Sequence, residues 1–106
     1  MEREITLYDI KRENGDWFIL RAYLQDGKLK LEGQDFTGLA ENMFGSEEYE
    51  CFYYFDLENT KKLAHLLNTD ELLKGLAVFF GEEMKDREFF AFCKENDVQF
   101  SFSSWV

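Results

Sequence analysis

Two pairs of carboxylates have the strongest claim to chemistry in this chain: Glu32 with Asp35, and Glu48 with Glu50. A pair of acids flanking a bond is the equipment of a hydrolase. On a strand, residues two apart share a face at about 7 Å, so Glu48 and Glu50 would address a common cleft. The other chemistry-bearing types are sparse. His65 and two cysteines, Cys51 and Cys93, do not make up the four converging ligands of a zinc site. Asp26-Gly27 and Asp35 lack the alternating oxygens of a calcium loop. Gly33, Gly38 and Gly45 stand too far apart to cradle a phosphate, and no Gly-x-Ser-x-Gly elbow occurs. Cys51 falls in an aromatic strand and Cys93 on an apolar helix face, where burial raises a thiol pKa and suppresses its reactivity. The expectation is a chain with no metal, no cofactor and no enzymatic centre.

The acid itself is the sharper signal. The formal net charge is −10, and between Lys30 and Lys61 no basic residue occurs. That stretch holds Glu32, Asp35, Glu41, Glu47, Glu48, Glu50, Asp56 and Glu58, while the other 14 acidic residues nearly cancel the 12 basic ones. Phe36, Leu39, Met43, Phe44 and Tyr49 are interleaved with these carboxylates. Apolar anchors ringed by charge are what protein interfaces use, the anchors for affinity and the charges for steering. Glu32, Asp35, Phe36, Phe44, Glu47, Glu48, Tyr49 and Glu50 are therefore the candidate partner-binding residues, and a basic protein is the implied partner. The competing reading is a solvated face that maintains solubility. Nucleic acid and anionic membranes are unsuited partners, since both call for a basic footprint.

The elements that must position these residues follow from periodicity. Ile5–Ile10 is rich in strand formers, and Glu13-Asn14-Gly15-Asp16 makes a turn. Trp17 to Leu24 is a nearly unbroken apolar run, suited to a central strand buried on both faces. After the hairpin turn Gln25-Asp26-Gly27-Lys28, Leu29, Leu31 and Gly33 alternate with Lys28, Lys30 and Glu32. Leu39–Phe44 has the length of one helical turn, and Glu48–Asp56 resumes strand character.

A helix over Glu58–Leu67 comes next. A capping box at Asn68–Glu71 then opens a second helix that Gly81 closes. Phe89, Phe92 and Cys93 mark a third helix starting at Asp86, and Val98, Phe100 and Phe102 alternate in a last strand. Strands first and helices later is the α+β pattern: a mostly antiparallel sheet of four or five strands, with about three helices on one face.

With 106 residues, 45% hydrophobic and 18% aromatic, the chain has the length and apolar content of one domain with a real core. Met-Glu-Arg-Glu is not the basic opening of a secretory signal, and the apolar run at Leu76–Phe80 is far too short to span a bilayer. Two cysteines are too few for a disulfide scaffold, so a cytoplasmic location is expected.

The stretch Gly27-Lys28-Leu29-Lys30-Leu31-Glu32-Gly33-Gln34-Asp35, followed by Glu48-Tyr49-Glu50, resembles a group of small acidic bacterial proteins, mostly uncharacterised. In that group a strand ending in Gly-Gln-Asp precedes an acidic stretch with Glu-Tyr-Glu. Here Phe36-Thr37-Gly38 departs by one residue from the tighter Gly-Gln-Asp-Leu-Gly form, and Trp105 in the closing strand extends the likeness loosely. The match covers about a quarter of the chain. Some similar proteins belong to toxin–immunity systems, so the resemblance implies a bacterial cytosolic protein and no catalytic residue.

Three functions follow as expectations. The first is a non-enzymatic binding module, in its sharpest form an immunity protein neutralising a basic toxin. The second is a ligand or hydrolytic site built on Glu32, Asp35, Glu48 and Glu50. The third is a homo-oligomeric structural protein.

Overall fold

A tight turn with two left-handed residues joins the strands Trp17–Gln25 and Lys28–Thr37 into a hairpin. The computed structural model describes residues 3–13, 15–37 and 47–105, with the backbone alone at 37, 47, 48 and 105. Its elements are β1 (Arg3–Lys11), β2 (Trp17–Gln25), β3 (Lys28–Thr37), β4 (Glu47–Tyr54), α1 (Leu57–Leu66), α2 (Leu72–Phe80), α3 (Asp86–Glu95) and β5 (Ser101–Trp105). Asp26 (φ 53°) and Gly27 (φ 77°) both take positive φ, the requirement of a two-residue turn whose twist matches its strands. That turn locks the β2–β3 register, Gln25 facing Lys28 and Trp17 facing Phe36. The expected helical turn at Leu39–Phe44 lies outside the described residues.

The strands lie in sequence order, β1-β2-β3-β4-β5, and every neighbouring pair is antiparallel. The three helices fall between β4 and β5 and pack against one face, which makes the α+β fold. Leu20, Ala22, Leu29 and Leu31 form the sheet side of the core; Leu63, Leu72, Leu73, Leu76, Phe80, Phe89 and Cys93 form the helix side. In β1 the register slips between Thr6 and Tyr8, and this bulge buries two consecutive residues, Leu7 and Tyr8. Ile19, only 3% exposed, lies outside that core, so β2 also buries one residue on the face away from the helices, where Trp17, Arg21 and Tyr23 stay partly exposed.

Two side chains set the start of helix α1, one capping it and one tying it to β3. The Asp56 carboxylate accepts from the Asn59 amide at 2.8 Å and caps the helix. Thr60 Oγ1, deep in the core, accepts from the Leu29 amide at 3.0 Å and donates to the Asp56 carbonyl at 2.7 Å. Helix α2 ends on Gly81, whose φ of 58° is the left-handed cap anticipated there. Helices α2 and α3 meet through rings, Phe80 against Phe89 at 5.4 Å and Phe79 against Phe89 at 5.8 Å.

Two boundaries differ from the sequence expectation. Asn68 is not an N-cap: at φ 53° it ends the α1 turn in the left-handed region, whereas a cap needs extended backbone. Glu71 is the N-cap instead, with no side-chain cap bond; Thr69 closes the turn ahead of it, its Oγ1 accepting from the Glu71 amide at 3.0 Å and donating to the Glu71 carbonyl at 2.9 Å. Glu71, freed from the box, pairs with Lys74 at 3.0 Å. The last strand begins at Ser101 rather than Val98, because the Val98 amide is engaged by the Cys93 carbonyl in closing α3.

Candidate functional site

Strand alternation decides which of the candidate residues can act together. In β3 the side chains of Leu29, Leu31 and Asp35, with the position of Gly33, lie on the helix side, and those of Lys30, Glu32, Gln34 and Phe36 on the open side. The β3–β4 register sets Asp35 opposite Tyr49, Gln34 opposite Glu50, Phe36 opposite Glu48 and Thr37 opposite Glu47. Residues directly opposite one another share a face. Glu32, Phe36 and Glu50 therefore occupy the open face with the position of Glu48, while Asp35 and Tyr49 occupy the other. Within the carboxylate set, Asp35 is therefore separated from Glu32 and Glu50 by the thickness of the sheet. Phe44 lies outside the described residues, as do the side chains of Glu47 and Glu48.

The open face carries more than the sequence singled out. Phe36 stacks on Trp17 with ring centroids 5.1 Å apart and planes inclined by 25°. The Trp17 indole N–H donates to Asp9, and Lys11 Nζ sits 4.6 Å from the Trp17 ring. Farther along, Lys30 Nζ stands among three rings: Phe52 at 5.2 Å, Tyr23 at 5.6 Å and Tyr54 at 5.9 Å. Arg3, Glu4, Tyr23, Leu24, Gln25 and Lys30 line a hollow of about 400 Å³. Gln34 Nε2 donates to Glu50 Oε1 at 3.4 Å.

Trp17, Tyr23, Phe52 and Tyr54 were absent from the candidate set, although the alternation of β2 and β4 in register with β3 would have placed them. Those neighbouring strands also bring Arg21 opposite Glu32 and Lys30 opposite Tyr54. The acidity that is concentrated along the chain is thereby spread into a face of mixed charge.

The helix side holds a different group. Tyr8 Oη donates to Asp86 Oδ2 at 2.9 Å, while Asp86 Oδ1 is buried with no hydrogen-bond partner among the described residues. Burial raises the Asp86 carboxyl above the usual carboxylate range, and the Tyr8 hydrogen bond offsets part of this. Asp35 is raised as well, first by burial and then by the charge of Asp86. Burial and the neighbouring Asp86 carboxylate push the Tyr8 phenol well above its ordinary value. Half-buried Cys51 faces Gly33 across the ladder, where any Cβ would come within 2.8 Å of its sulfur. Its thiol is raised by burial, and that of fully buried Cys93 is pushed up to about 12. Both thiols are free.

Among the described residues no His, Cys, Asp or Glu cluster is fit to hold a metal ion, and no helix is long and apolar enough to cross a membrane. The chain matches no family model, no curated protein and no solved structure.

Proposed function

We propose that this chain is a non-catalytic protein-binding module that works through the open face of its sheet. One observation carries the reading: all three helices pack on one side, leaving Trp17, Tyr23, Phe36, Phe52 and Tyr54 on the other. A solvated antiparallel face is normally polar at alternate positions. Aromatic anchors interleaved with Glu32, Glu50, Arg21 and Lys30 have instead the composition of an interface. The net charge of −10 favours encounter with a basic partner. Separation of Asp35 from Glu32 and Glu50 onto opposite faces supports binding over two-carboxylate hydrolysis. The sharper form, resting on the resemblance, is an immunity protein that neutralises a basic toxin in a bacterial cytosol.

Affinity purification from the native host at low and high salt, using the wild-type chain and a Phe36→Ala/Phe52→Ala variant, tests the reading. The expected result is a basic protein held by the wild type at low salt, released at high salt, and lost with the variant. Equal retention by the variant would place the interface elsewhere, and a partner indifferent to salt would remove the electrostatic part.

A further inference from the structure

The two edges of the sheet are protected very differently. An edge strand offers unpaired amides and carbonyls to any other strand, and proteins usually blunt it with charge, bulges or cover. At one edge, β1 carries Arg3, Glu4, Asp9 and Lys11 and is broken by the bulge at Leu7. At the other, β5 reads Ser-Phe-Ser-Ser-Trp, with no charge, no proline and no register shift against β4. Ser101, Phe102, Ser103 and Ser104 are exposed, Phe102 by 54%, and among the described residues no strand pairs with the outer side of β5. A chain with net charge −10 thus leaves one edge uncharged.

We infer that β5 is a self-pairing edge, and that two copies of this chain join there into a continuous antiparallel sheet about a twofold axis at Ser103. The residues of β5 are complementary to their own reversal about that axis. Phe102 of one copy falls opposite Ser104 of the other, Ser101 opposite Trp105, and Ser103 opposite itself. Each pair keeps to one face, because residues directly opposite share a face. On either side of the axis the large Phe102 meets the small Ser104, and no like charges are opposed. A shift by one residue would set Phe102 against a position of the other face, which the pleat forbids. A second copy is favoured over a foreign strand because this size matching belongs to the five residues themselves. Such an interface is isologous and closes at two subunits.

Sedimentation equilibrium from low micromolar to near-millimolar chain, at low and moderate sodium chloride, tests the inference. A monomer–dimer equilibrium is expected, tightening as salt rises because two equally charged acidic bodies repel less when screened. This sign separates self-pairing from the basic partner proposed above, whose complex weakens with salt. Ser103→Lys sets two cations opposite each other at the axis and is expected to weaken the dimer at least about tenfold, some 1.4 kcal/mol. Phe102→Lys is expected to weaken it as well, while Thr6→Lys on the β1 edge leaves it unchanged. Unchanged circular dichroism and urea midpoint show that each variant is folded. A wild-type chain that stays monomeric throughout, or a dimer that tolerates both β5 substitutions, would overturn the inference.

Discussion

One hydroxyl links α1 to the backbone of β3. Leu29 is 1% exposed, and its amide finds an acceptor in Thr60 Oγ1 at 3.0 Å. Thr60→Val preserves shape and removes the acceptor, leaving a buried N–H unpaired at a cost of about 1–3 kcal/mol. Thr60→Ser keeps the bond and loses one methyl, near 0.8 kcal/mol. Urea unfolding of the two variants is expected to rank Val well below Ser.

Asp35 carries a pH signature of opposite character. Its folded pKa lies above the ordinary carboxylate value, because burial and Asp86 disfavour its charge. Between those two values the folded chain holds a proton that the unfolded chain has released, so stability falls as pH rises through the window. Asp35→Asn removes that loss. Its urea midpoint is expected to exceed wild type at neutral pH and to converge with it at acid pH, below the carboxylate range. An equal gain at every pH would assign the effect to something other than ionisation. The role of Asp35 was not legible from the linear pattern: its partner Asp86 is 51 positions away and meets it only because α3 folds back over the sheet.

At the scale of elements, the reading from sequence succeeded where a signal is local and failed where it depends on the preceding turn. The β2–β3 hairpin was legible because Asp26-Gly27 marks the turn and the apolar run before it and the alternation after it both read as strands. The Asn68–Glu71 capping box had the right spacing, yet α1 ends by spending Asn68 in the left-handed region, and Thr69 instead fixes the turn that leads into α2. The two assignments predict different mutants. Asn68→Gly is expected to change stability by less than about 0.5 kcal/mol, since glycine adopts that φ freely. Thr69→Ala is expected to cost about 0.5–1.5 kcal/mol through the lost Glu71 hydrogen bonds. The reverse order in thermal melts would reinstate the box. Candidate site residues were partly legible for the same reason. Spacing along β3 and β4 names the strand, but only the pairing of β2, β3 and β4 shows that Glu32, Phe36 and Glu50 share a face with Trp17, Phe52 and Lys30.

For the molecule as a whole, charge acts over distances comparable with its own dimensions of 46 × 29 × 24 Å. At about 0.01 M salt the screening length is roughly 30 Å, so most of the ten excess negative charges feel one another; near 0.15 M it shrinks to about 8 Å. Against this repulsion stand the ion pairs Arg3–Glu71, Lys62–Asp97, Lys74–Glu71 and Lys85–Glu83, with every partner's side chain at least 39% exposed. Exposed pairs contribute about 0–1 kcal/mol each, and salt weakens them as well. These short-range pairs lie at the exposed surface, and the repulsion is spread over the folded body, where charges are held closer than in the unfolded chain. Screening should therefore remove more destabilisation than stabilisation. The urea midpoint is expected to rise as sodium chloride goes from about 0.01 M to about 0.15 M, and to level off once the screening length falls below the spacing between neighbouring charges. Neutralising Glu82 and Glu95 to Gln, both exposed and outside the ion pairs named above, should shrink that rise. A midpoint that falls with salt would mean that the ion pairs, not the net charge, dominate the electrostatics of this fold.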